Sequence, residues 1–127
     1  MKIYTSYAPH PPIEELPCTA AVGYKQGQGL VISSGAAVLA TGTTAPTHIC
    51  TAEKTGKAGE TVPAYRITKD LTLEAHLAAA GSALAVGNKV TIDTDAINVT
   101  ATTSGGVAEI VAFPEGKAAG DRVLIKF

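Results

Sequence analysis

Tryptophan is absent from this chain, and four tyrosines and two phenylalanines make up its whole aromatic content. Without stacking platforms, a small domain has little to hold a single-stranded nucleic acid or a sugar ring with. Charge of one sign is lacking too: 10 Lys plus Arg stand against 11 Asp plus Glu. Such a balance creates no field that would steer a polyanion or an anionic lipid surface, so no nucleic-acid or membrane partner is expected. No window approaches the roughly 20 apolar residues of a membrane-spanning helix, and Met1 to Pro9 hold no apolar stretch of signal-peptide length. A chain made and folded in the cytoplasm is the expectation. The two cysteines, Cys18 and Cys50, are too few for a disulfide framework and fit no zinc or redox spacing, so both read as small buried hydrophobes.

The patterns of catalysis are missing as well. Gly56-Lys57 has Thr51 where a phosphate loop needs its first glycine, and Gly27-Gln28-Gly29 has Ile32 at the third glycine position of a dinucleotide fingerprint. His10, His48 and His76 share no metal-ligand spacing and read as surface or turn histidines. Ser33-Ser34-Gly35 lacks the frame of a nucleophile elbow. Asp93, Asp95 and Asn98 offer few of the oxygens a calcium ion requires. The chain is therefore expected not to be an enzyme, and no cofactor or metal is expected.

What is present is β-type. Short runs rich in Val, Thr, Ile and Ala follow one another at about 18–24, 29–33, 36–41, 47–53, 61–68, 71–77, 89–93, 97–102, 106–112 and 121–127, most bounded by Gly or Pro. Leu71-Thr72-Leu73-Glu74-Ala75-His76-Leu77 alternates apolar and polar residues with period two, the mark of a strand with one buried face. Ala78-Ala79-Ala80 could begin a short helix, but no capping box precedes it and Gly81 follows. Gly59-Glu60-Thr61-Val62, Gly87-Asn88-Lys89-Val90 and Gly120-Asp121-Arg122-Val123 echo one another as turns that each feed a strand. The expected fold class is all-β, a small β-barrel or sandwich of short strands, with one domain over residues 18–127.

Four of the seven prolines fall within residues 1–17, which read as an extended proline-rich arm. Proline restriction lowers the entropy lost when such a segment lies down on a partner. Tyr4, Tyr7, Pro9, Pro11, Pro12, Ile13 and Leu16 are its candidate partner-binding residues. A core built from small side chains in a β domain also points to an oligomer or a larger assembly.

Pro46-Thr47-His48-Ile49, the run from Val62 to Asp70, Gly87-Asn88-Lys89-Val90 and the closing Gly120 to Phe127 give residues 18–127 a further character. This part of the chain resembles the small capsid decoration (cement) proteins of tailed bacteriophages. The resemblance implies a compact β-barrel, often trimeric, bound to the outside of the virion head at symmetry axes of the major capsid protein lattice. It also implies that an N-terminal arm makes the contact. A recognition module for carbohydrate or cell surfaces, and another virion piece such as a tail or connector subunit, are the alternative readings.

Overall fold

The computed structural model describes residues 1–5 and 11–127. Among the described residues there are twelve β-strands and no helix. They are β1 (Lys2–Thr5), β2 (Ile13–Pro17), β3 (Gly23–Tyr24), β4 (Gly29–Ser33), β5 (Ala36–Leu39), β6 (His48–Cys50), β7 (Lys54–Thr55), β8 (Thr61–Arg66), β9 (Thr72–His76), β10 (Lys89–Val90), β11 (Ala108–Ala112) and β12 (Arg122–Lys126). Two five-stranded antiparallel sheets, in the orders β1-β9-β12-β11-β10 and β2-β8-β6-β4-β5, account for ten of them, and β3 pairs with β7. The fold is all-β and sandwich-like.

Isolated bridges draw each sheet into a curl, and in the second they bring its two end strands together. In the second sheet Cys18, just past β2, bridges Ala37 on β5. In the first, Val99 bridges both Leu77 and Ile92, tying the end of β9 to the end of β10. A curled sheet has an inside, and side-chain alternation fills it. One apolar cluster lies within the second sheet, around Leu16, Tyr24, Leu30, Ala37, Cys50 and Val62. The other gathers Leu73, Ala75, Val90, Ile110, Val123 and Ile125 of the first sheet with Ile49 of the second, and Tyr65 and Ile67 pack against it. The second sheet is thus covered on both faces, which its short mixed runs of small and branched residues permit.

Tyr24 pins the closure of the second sheet. Its hydroxyl, in a side chain only 1% exposed, donates to Ala37 O (2.5 Å) and accepts from Thr19 N–H (2.8 Å), while Thr19 Oγ1 also donates to Ala37 O (3.0 Å). Gly56 lies against this knot, where a Cβ would fall 2.3 Å from Thr19 O and 2.9 Å from Tyr24 Cε2.

The echoed turns are one structure used four times. In Lys25–Gln28, Lys57–Glu60, Ala85–Asn88 and Ala118–Asp121 the fourth N–H donates to the first carbonyl at 3.1–3.2 Å. The third residue is always a glycine, with φ of 89°, 83°, 92° and 88°. That is the type II turn, whose third residue needs the left-handed region that glycine reaches without strain. Three residues after each glycine comes a side chain with no exposed surface: Leu30, Val62, Val90 and Val123. In three of the four, the Gln28, Asn88 or Asp121 side chain accepts a hydrogen bond from the first residue's N–H (2.7, 2.9 and 3.0 Å).

Several expectations are corrected. The described part of the 1–17 segment is not an arm but two strands: β1 pairs with β9 and β2 with β8, and Met1 and Leu16 are buried in the two clusters. The prolines mislead because β2 is an edge strand, where a missing N–H is tolerated. Pro63 lies inside the sheet for a related reason. Thr51 N–H donates to Pro63 O one residue past the end of β6, so the bond proline cannot return falls where the ladder stops. Residues 97–102 form single bridges at Val99 rather than a strand. Ala78, Ala79 and Ala80, by contrast, are non-helical as expected, and exposed.

Candidate functional site

The N-terminal strands carry the residues singled out for partner binding. Tyr4 on β1 is 53% exposed and Ile13 on β2 is 54% exposed, two of the four large apolar side chains that stand clear of the surface among the described residues. β1 and β2 are the end strands of the two sheets, so each residue sits where a sheet stops. Pro12 is exposed and Pro11 half-buried. Leu16 is 7% exposed and belongs to the core, which removes it from any docking surface. Tyr7 and Pro9 lie outside the described residues.

Behind Ile13, alternation turns Glu14 to the other face of β2. There it accepts two hydrogen bonds from Arg66, from Nε to Oε2 and from Nη2 to Oε1, both 3.1 Å. Such a fork of charge-assisted bonds fixes both partners in orientation. The Arg66 hydrogen bonds, with a lesser influence of His48, hold the Glu14 carboxyl below its ordinary pKa. His48, paired across the ladder with Arg66, is 2% exposed, against the expectation of a surface histidine. Its Nδ1 lies 2.8 Å from Thr47 Oγ1. Its Nε2 lies 3.5 Å from Glu14 Oε2, within ion-pair range, yet makes no hydrogen bond. Thr47 and Arg66 also line a cleft of about 300 Å³ with Pro46, Ile67, Lys69 and Phe127. No sequence spacing reveals this group, because register alone brings Glu14 to residues more than thirty positions away.

A second polar group lies on the first sheet. Glu74, opposite Lys2 on β1, is 6% exposed and receives Lys2 Nζ at 3.1 Å and Arg122 Nη1 at 3.3 Å. Desolvation opposes its ionisation, but the hydrogen bonds and charges of Lys2 and Arg122 outweigh it and lower its pKa. Nearby, the Met1 amine donates to Gly27 O at 2.6 Å. Burial pulls its pKa down from 8.0 to about 6, against the raising influence of Asp95 and Glu74.

Both thiols are buried, and burial pushes the Cys50 pKa up, the direction of an inert thiol. Asp95 spends its carboxylate on Ile97 N–H, Asn98 N–H and Asn98 Nδ2, each 2.8 Å away, as the staple of its own loop. Among the described residues no three His, Cys, Asp or Glu side chains cluster as metal ligands would. No helix of the described residues is long and apolar enough to cross a membrane. No family model, no curated protein and no solved structure matches the chain.

Proposed function

We propose that this protein is a structural capsid decoration protein. It binds the outer surface of a tailed-bacteriophage head and stabilises the shell, and its N-terminal strands dock on the major capsid protein. The observation that carries the reading is the pairing of Tyr4 and Ile13, each about half exposed and each on the end strand of a different sheet. An isolated exposed apolar residue is ordinary, but one on the end strand of each sheet suits surfaces that a partner covers. The near-neutral charge supports contact with a protein rather than with nucleic acid.

The mechanism is one of linkage. A subunit that bridges neighbours in the assembled shell binds the shell but not its separated parts, so occupancy alone shifts the equilibrium toward the assembly. Contacts repeated over a lattice, each weak, add through effective concentration. A homotrimer placed at lattice symmetry axes is the unit this reading expects.

Co-sedimentation with empty, expanded shells of the major capsid protein from the same source tests the proposal. Deleting residues 1–17 is unsuitable because it removes two sheet strands and two buried side chains, so the comparison is with Tyr4→Ala/Ile13→Ala. Saturable binding by the native chain, weakened at least tenfold in the double variant, is the expected outcome. Equal binding by both would remove the N-terminal strands from the interface. No binding by the native chain would refute decoration itself.

A further inference from the structure

From the group behind Ile13 we infer a second, chemical capacity: Thr47 is an acyl-accepting nucleophile, with His48 as its general base and Glu14 as the positioning carboxylate. Three features of the geometry carry this. Thr47 is exposed on the rim of the 300 Å³ cleft, and its hydroxyl lies 2.8 Å from His48 Nδ1. On the far side of the ring, His48 Nε2 faces Glu14 Oε2 at 3.5 Å. Glu14 is in turn held by the Arg66 fork.

The buried Nε2 then acquires a meaning. For a neutral ring it is an orphan, 98% buried with no hydrogen bond. An imidazolium at the same place gains an ion pair with a carboxylate already in position. The carboxylate is thus in place to support the ring as it takes up the Thr47 proton. Selective support of a transient species is the physical basis of catalysis.

The step balances as follows. Thr47 Oγ1 attacks the carbonyl carbon of an ester, forming a C–O bond, as its proton passes to His48 Nδ1. The tetrahedral adduct collapses, the ester C–O bond to the leaving alcohol breaks, and His48 returns the proton to the departing oxygen. Water, deprotonated by the same nitrogen, then releases the acid and restores Thr47. Pro46, Ile67 and Phe127 give the cleft apolar walls, and Lys69 adds a cation to its lining. Esters of short apolar carboxylic acids fit such a space.

The test uses the full chain with p-nitrophenyl butyrate as substrate and an alkyl fluorophosphonate as covalent trap, read by peptide mass spectrometry. The native chain should hydrolyse the ester and carry the phosphonyl group on Thr47. Thr47→Val, close in shape, should lose at least a hundredfold of the turnover and all of the adduct, while Thr47→Ser retains both. Glu14→Gln should lower kcat with KM unchanged, a split that a purely structural role would not produce. Hydrolysis in Thr47→Val equal to that of the native chain, or an adduct elsewhere than Thr47, overturns the inference. Because Val and Ser at an exposed position spare the core, a misfolded His48 variant cannot confuse the result. Shell binding by Thr47→Val should be unchanged, so failure here and failure of decoration are separate events.

Discussion

Replacing Tyr24 with phenylalanine removes one oxygen atom from the knot that closes the second sheet, and the structure says which groups notice. Thr19 N–H loses the acceptor it holds at 2.8 Å, whereas Ala37 O keeps Thr19 Oγ1 at 3.0 Å. One buried donor left without a partner costs about 1–3 kcal/mol, so Tyr24→Phe should destabilise by about 2 kcal/mol. Thr19→Val removes the other donor to Ala37 O and leaves the Tyr24 hydroxyl in place, at about 1 kcal/mol for one lost hydrogen bond. Together the two changes strip both donors from Ala37 O, so the double variant should exceed the sum of the singles by about 1 kcal/mol. Urea unfolding of the four proteins, with the slope on denaturant unchanged, measures the cycle. A Tyr24→Phe cost below about 0.5 kcal/mol, or strict additivity, would refute the claim that this knot holds the closure.

Further outcomes follow from the turns, the backbone and the buried amine. Gly59→Ala, Gly87→Ala and Gly120→Ala should each cost about 1 kcal/mol, since a Cβ meets nothing within 4 Å and only the positive φ objects. Gly106→Ala should be far worse, because its Cβ would lie 2.1 Å from Lys89 O. Ala21 is exposed with φ of 66°, so Ala21→Gly should raise the unfolding midpoint slightly despite glycine's entropy. The Met1 amine binds its proton less tightly when folded, so the unfolded chain holds more protons between pH 6 and 8. Stability should therefore rise by up to about 2 kcal/mol across that window and level off above it, and the slope should shrink in an Nα-acetylated chain.

Local signals in this chain are written in backbone chemistry, and those are the ones that could be read. Glycine before a polar residue and a valine marks a type II turn wherever it occurs, so three of the four turns stand out. The fourth, at Gly27, hides behind the neighbouring Gly29. Period-two alternation identified β9, and Leu71, Leu73, Ala75 and Leu77 are all buried as it predicts. Alternation failed only at Glu74, whose burial depends on Lys2 and Arg122 arriving from other strands. β2 was illegible because propensity weighs proline against strands, whereas an edge position excuses it, and β1, itself free of proline, was drawn into the arm by the prolines that follow it. The Glu14, Thr47, His48 and Arg66 group was illegible for a different reason: its members meet through strand order, which no single stretch of sequence encodes. Tyr4 and Ile13 were recognisable as large apolar groups on a polar segment, but their placement at two sheet ends was not.

The order β1-β9-β12 places the first and last strands on either side of the same strand, and since both run antiparallel to β9 they run parallel to each other. β1 enters at Lys2, level with Glu74 in the middle of β9, and β12 leaves past Ile125, level with Leu73, toward the start of β9. Tension between the two chain ends would then drag β1 and β12 lengthwise past β9, loading the bonds of both ladders at once instead of opening them one at a time. A chain threaded in this way resists stretching along its length better than its small core suggests.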